Sequence, residues 1–164
     1  MCGVTLMKKL KVYLETTVFN WYFEPEREFY NDIRRFFEEI AAGKFEAYAS
    51  DYVVEELLKT QGERQKKMLE LLNESCAFVL GKSEEAEYLA SQYVAHKVIS
   101  EKHSYDRLHV ACAAVNGMDA IVSFNFSHIN RLSTKEKTDL VNRLNGYPAV
   151  PIVLPMEVIE YDDV

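Results

Sequence analysis

Short apolar runs alternate along this chain with one or two helix-length segments, and that alternation limits the fold more than any other feature. The runs are Lys11 to Thr16, Phe45 to Ala49, Ala77 to Leu80, Ala120 to Ser123 and Val150 to Leu154. Each is short, apolar and bounded by charged or turn-forming residues, as strands are. The first leads into the β-branched Thr16-Thr17-Val18. Strands separated in this way build an α/β domain with a mostly parallel sheet and helices on both faces. Sites in such sheets form beyond the carboxyl ends of the strands.

The intervening segments read as helices. Pro25 marks a start, and Phe29, Ile33, Phe36, Phe37 and Ile40 recur as one apolar stripe that Gly43 ends. Ser50 or Asp51 caps a helix from Tyr52 to about Thr60, Gly62 interrupts, and Glu63 to Leu72 continues. Ser83 caps a helix carrying Glu84, Glu85 and Glu87 in its first turn, where the dipole favours acids. Ser104 is expected to cap a helix running to Asn116 and closed by Gly117. Ser133 and Glu136 have the spacing of a capping box, opening a helix to about Leu144.

No repeat, low-complexity tract or linker divides the 164 residues, so the expectation is one domain over 1–164, with residues 1–8 as an N-terminal extension. Apolar residues make up 48% of the chain, enough for a core of its own, which excludes a disordered protein. No stretch nears ~18 uninterrupted apolar residues, and no secretory signal is seen, so membrane insertion is not expected. Cys2, Cys76 and Cys112 are odd in number and widely spaced, which points to reduced thiols and a cytoplasmic location. The net charge of −7 argues against a surface that grips nucleic acid everywhere. It leaves room for a nuclease whose acidic site is rimmed by a few cations, and it suits a basic partner.

Three acids stand where chemistry could happen. Glu15 ends the first strand and is followed by two hydroxyls, Thr16 and Thr17. A plain turn hydrogen bond to Thr17 is the ordinary explanation for an acid in that place. Glu55 and Glu56 are adjacent on a helix and face about 100° apart. Glu56 lies three residues after Val53, half inside, whereas a solvated acidic pair is the ordinary alternative. Asp106 sits in a first turn, where dipole complementation alone could place it. It shares a face with His109, Val110 and Ala113 on a helix thinned by Ala111, Cys112, Ala113 and Ala114. His109 reads as a satisfied histidine at the core edge rather than a ligand. Asp119 reads as a turn residue. Asn125 offers only a neutral amide. Phosphate-binding glycine loops, nucleophile elbows and zinc spacings are not seen.

Four segments, Val12 to Asn20, Val54-Glu55-Glu56-Leu57, Asp106 to Ala113 and Asp119 to Ile129, together resemble PIN-domain proteins, above all VapC-type toxins. The resemblance runs from about Lys9 to Ile159. It implies a PIN-like three-layer α/β/α sandwich with a central, mostly parallel sheet. It also implies an endoribonuclease dependent on Mg²⁺ or Mn²⁺ that leaves a 5′-phosphate and a 3′-hydroxyl. Matched position by position, the catalytic and metal-binding set is Glu15, Glu56 rather than Glu55, Asp106 and Asn125, with Thr17 and Ser123 supporting. Two positions depart from the usual pattern: Glu15 stands for Asp, and Asn125 for a fourth acid. A subgroup with Glu-Thr-Ser/Thr and Trp-Asn cores is similar at both. The lost carboxylate lowers the charge available to a hard cation and predicts weak or single-metal occupancy.

Lys102, Arg107, His128 and Arg131 are candidates to meet the RNA backbone, though exposed cations need no partner. Trp21-Tyr22-Phe23 could stack on a base or pack in the core. The resemblance implies an RNA substrate and a cognate antitoxin. The aromatic stripe Phe29, Phe36 and Phe37 exceeds what one sheet face needs, so a homodimer is expected. The alternative is a catalytically weak or inactive PIN-like module that acts by binding a protein partner. A phosphotransfer domain would need a strand-end Asp nucleophile, for which Glu15 is a poor substitute.

Overall fold

A computed structural model describes residues 8–160, so the expected extension, apart from Lys8, lies outside the described residues, as does Cys2. Strands β1 (Leu10–Leu14), β2 (Phe45–Ser50), β3 (Phe78–Leu80), β4 (Ala120–Val122) and β5 (Ile152–Val153) alternate with helices. These are α1 (Thr16–Trp21), α2 (Tyr30–Ala41), α3 (Asp51–Leu57), α4 (Gly62–Ser75), α5 (Glu84–Ala95), α6 (Ser104–Val115) and α7 (Leu132–Leu144), with a 3₁₀ turn at Pro155–Glu157. The sheet order is β3-β2-β1-β4-β5, and every pairing among the described strands is parallel. The expected α/β/α layering with a parallel central sheet is therefore present.

The middle strand shows why both faces must be covered. Val12, Tyr13 and Leu14 are all fully buried, although successive side chains of a strand point to opposite faces. Tyr13 meets His109 of α6 on one face. Val12 and Leu14 belong to the other. Helices α1, α2 and α4 pack on one another, and α5 packs on α6 and α7. The thin face of α6 is the reason it can lie so close: Val110, Ala111, Cys112, Ala113 and Ala114 are all buried.

The α2 stripe behaves as its spacing predicts, with Ile33, Phe36, Phe37 and Ile40 buried and Gly43 (φ +81°) closing the turn. Ser50 and Ser83 cap α3 and α5 through Val53 N–H (3.3 Å) and Ala86 N–H (3.1 Å). Asp119 makes its turn by accepting from Lys11 N–H at 2.8 Å.

Several expectations need correction. The first strand stops at Leu14, and the β-branched residues after it open α1. Glu15 is extended (φ −75°, ψ 157°) and accepts from Thr17 N–H, so it caps that helix in the role Asp or Ser usually fills. Ser104 lies inside α6, which begins after His103 without a side-chain cap. The Ser133–Glu136 box is not made: α7 starts at Leu132 after an uncapped Arg131. Phe36 and Phe37 are used up in the chain's own core, so the free apolar surface that suggested a dimer is not on α2. Trp21 stacks on Phe124 (ring centroids 4.2 Å) and Tyr22 meets Phe37 edge to face (5.0 Å), so this aromatic run packs inward. Cys76 and Cys112 are free thiols, both pushed up to about 12 by burial. No helix among the described residues is long and apolar enough to cross a membrane.

Candidate functional site

The chain leaves β1 toward β2 on one side and returns through β4 on the other. The β1/β4 boundary is thus where strand order reverses, and a crevice opens beyond the carboxyl ends there. Glu15, the first residue after β1, donates its N–H to Val122 O of β4 at 3.0 Å. That bond seats its side chain between the two strand ends. Ser123 Oγ donates to Glu15 Oε1 at 2.8 Å, Thr17 N–H does so at 3.0 Å, and Thr17 Oγ1 donates to the same oxygen. Thr17 Oγ1 in turn accepts from Phe124 N–H (2.8 Å), and Ser123 Oγ from Asn125 N–H (2.9 Å). The two supporting hydroxyls therefore tie the start of α1 to the turn after β4. The simple turn bond between Glu15 and Thr17 exists, as one strand of this larger web.

Glu56 enters from α3. Thr16 Oγ1 donates to its Oε1 at 2.7 Å, and His109 Nε2 meets the same oxygen. A carboxylate only accepts, so Nε2 carries a proton, and Nδ1 pairs with the Tyr13 hydroxyl at 2.7 Å. His109 is fully buried and satisfied by both nitrogens, as expected of it, yet it also fixes a site residue. Glu55 turns away to Lys82 and to Tyr105 (3.3 Å), which supports the choice of Glu56.

Asp106 opens α6 from the far side. Its Oδ1 accepts from Asn125 Nδ2 at 2.9 Å and its Oδ2 from His128 Nδ1 at 2.7 Å. Asn125 Oδ1 accepts His128 N–H at 3.1 Å, so that amide is engaged at both ends and orients Asp106.

Glu15, Thr17, Glu56, Asp106 and Asn125 all line one cleft of about 490 Å³, together with Thr16, Lys102 and His128. Ser123 lies beneath it. Of the four cations read from the sequence, Lys102 and His128 face this cleft. Arg131 lies in an adjoining recess beside His128. Arg107 is elsewhere: it donates to Glu101 O (2.8 Å) and lines a groove with Glu87 and Leu108. It neighbours Asp106 in sequence, and about 100° of helix rotation separates the two. Lys59, His103, Tyr105 and Asn20 also line the cleft and were not anticipated. Only His103 had a usable signal, three residues before Asp106.

Burial dominates Glu15 and raises its pKa, against the opposing pull of the His109 charge and the Thr17 and Ser123 hydrogen bonds. Burial also pushes Glu56 upward, but the His109 bond and charge and the Thr16 bond outweigh it and leave it lowered. Glu15, Glu56 and His109 each place one ligand atom within 4.8 Å of the others. A buried carboxylate that burial makes reluctant to ionise, beside a second one, fits a hard divalent cation supplied from the cleft. Glu15 and Glu56 face it, and His109 holds Glu56 from behind.

The sequence matches the family described as PIN domain over residues 12–133. No curated protein matches it. Among solved structures, the chain is similar to one in the crystal structure of VapBC2 from Rickettsia felis bound to a DNA fragment from their promoter. The TM-score is 0.56 at 12% identity, over 88% of this chain and 98% of that one. At that identity the likeness speaks to the fold.

Proposed function

The chain belongs to the PIN-domain family, and from that premise we propose that it is a Mg²⁺- or Mn²⁺-dependent endoribonuclease of the VapC toxin type. The observation that carries this reading is the convergence of Glu15, Glu56 and Asp106, from three different elements, on one cleft at the β1/β4 boundary. Glu15 and Glu56 would hold the ion, with Asp106 completing the acidic wall. A bound Mg²⁺ or Mn²⁺ would polarise a phosphate oxygen and acidify a water.

The chain's own residues do the rest. Thr17 and Ser123 fix Glu15 at one oxygen, and Thr16 and His109 fix Glu56, so neither carboxylate has to be ordered when substrate arrives. Asn125 plays the same part for Asp106, and here positions rather than ligates. Lys102 and Lys59 stand at the cleft to meet phosphates of a single strand, and Arg131 stands nearby. The expected products carry a 5′-phosphate and a 3′-hydroxyl.

A VapC-type enzyme would be held in check by an antitoxin, and the net charge of −7 suits a basic one. We place the protein in the cytoplasm and keep the homodimer as a proposal. Light scattering tests the latter, and a mass near 19.0 kDa overturns it.

The deciding experiment incubates single-stranded RNA with the purified protein and Mn²⁺ or Mg²⁺, beside Asp106→Asn and Glu56→Gln. Cleavage that needs the ion and is lost in both variants, with folds intact by circular dichroism, supports the reading. Folded wild-type protein without ion-dependent cleavage overturns it in favour of a partner-binding module.

A further inference from the structure

The mouth of the cleft carries a second constellation of different chemistry from its acidic floor. His103 precedes α6, Asp106 opens it, and His128 lies in the turn after β4. One ligand atom from each of the three lies within 4.8 Å of the others. Asp106 Oδ2 is 2.7 Å from His128 Nδ1 and 3.9 Å from His103 Nδ1. The imidazoles lie ring on ring, centroids 3.7 Å apart and tilted by 31°, and both turn Nδ1 toward the same carboxylate oxygen. Both rings are partly exposed, and all three residues line the cleft.

Two stacked imidazoles around one carboxylate are poorly suited to each other without a cation. His128 Nδ1 takes Asp106 Oδ2 at 2.7 Å, while His103 Nδ1, 3.9 Å from the same oxygen, is beyond hydrogen-bond distance. They suit a divalent ion of the borderline class. Imidazole nitrogens with a single carboxylate select such ions over Mg²⁺, which prefers all-oxygen surroundings. Three protein ligands leave a further position open to solvent, here the cleft. The bonds that orient these ligands are already made: Asn125 Nδ2 donates to the other oxygen of Asp106 at 2.9 Å, and Asn125 Oδ1 accepts from His128 N–H.

We propose that His103, Asp106 and His128 form a binding site for a borderline divalent transition ion of the zinc class at the mouth of the cleft, with neither Glu15 nor Glu56 among its ligands. The proposal deepens the nuclease reading by giving the cleft an ion of its own at the mouth, but zinc binding needs no RNA and can be measured without cleavage.

The test is Zn²⁺ binding to the full chain by competition with a chromophoric chelator, on wild type, His128→Ala, His103→Ala and Glu56→Gln, each checked for its fold by circular dichroism. The expected result is one ion per chain, at least about tenfold weaker binding in both histidine variants, and binding retained in Glu56→Gln. Equal affinity in wild type and His128→Ala overturns the site. So does loss in Glu56→Gln that matches the histidine variants, which would put the ion on the acidic floor. No binding by wild type at micromolar Zn²⁺ leaves only a hydrogen-bonded histidine–aspartate pair and also overturns it. Failure of Mg²⁺- or Mn²⁺-dependent RNA cleavage would sink the nuclease reading while leaving this result in place.

Discussion

Glu15 and Glu56 lie in the same cleft but respond oppositely to folding. Burial raises Glu15, so the folded chain binds its proton more tightly than the unfolded chain does. Below the unfolded carboxylate pKa this costs nothing. The penalty grows as pH rises through the window up to the raised folded value and then stays at neutral pH. Glu56 is lowered once His109 and Thr16 have outweighed burial, so it contributes stability above its unfolded pKa. That stability disappears as pH falls through the lowered folded value. Metal-free Glu15→Gln is therefore expected to melt higher than wild type at pH 7. Metal-free Glu56→Gln is expected to melt lower at pH 7 and to converge with wild type in acid. Thermal melts between acid and neutral pH check both, and a Glu15→Gln protein that melts lower at pH 7 would show that its hydrogen bonds, not burial, govern the site. His109 is the hinge of this balance. His109→Ala would take from the fully buried Tyr13 hydroxyl one of its two partners, leaving Ser50, and from Glu56 Oε1 one of its two, leaving Thr16, with an expected loss of about 1–3 kcal/mol in urea unfolding.

The element that matters most to the site was the least legible. Helix α1 is six residues long, too short to show a period, and it begins with three β-branched residues whose own preference is for a strand. Tertiary bonding overrides that preference: from the first helical turn Thr17 donates to Glu15 Oε1 and accepts from Phe124 N–H together. By contrast the body of α2 was legible from Ile33 to Ile40, since apolar residues recurring every three or four positions line up on one side of a helix and on neither face of a strand, although the helix opens at Tyr30 rather than at Pro25 and Phe29 precedes it. The same contrast separates Ser50 and Ser83, which cap as expected, from Ser104 and Ser133, which lie inside helices that start without side-chain caps. Thr17→Val tests the argument for α1. The isosteric change removes one donor to Glu15 and the acceptor for Phe124 N–H, and it is expected to cost about 1–3 kcal/mol in urea unfolding. Thr17→Ser should recover most of the loss, because the hydroxyl, not the β-branch, makes both bonds. If Val and Ser behave alike, the hydroxyl web does not hold α1 in place.

At the scale of the whole molecule, strand–helix alternation was enough to place a site at the carboxyl ends of a parallel sheet, and Glu15, Glu56 and Asp106 meet there. What alternation could not reveal is which surface residues turn the same way. Arg107 is one residue from Asp106 and faces another groove, while His103 and His128 are 25 positions apart and lie ring against ring. Only closure of the sheet brings β4's turn against the start of α6, so no local spacing records it. Under the proposed nuclease reading, the same geometry limits how this acidic chain would hold RNA. Of its lysines and arginines, Lys59 and Lys102 line the cleft, and Lys59 Nζ sits over the Tyr105 ring at 4.3 Å. With about two phosphates neutralised, the affinity for single-stranded RNA should fall with salt along a shallow slope of about −1 to −2 in log–log form. Lys102→Ala should flatten that slope by roughly 0.7 while leaving the melting temperature unchanged. Fluorescence anisotropy in Ca²⁺ across a salt series measures it. A slope steeper than about −4 would mean that the strand runs over far more of the surface than the cleft, and the few-cation account of binding would be wrong.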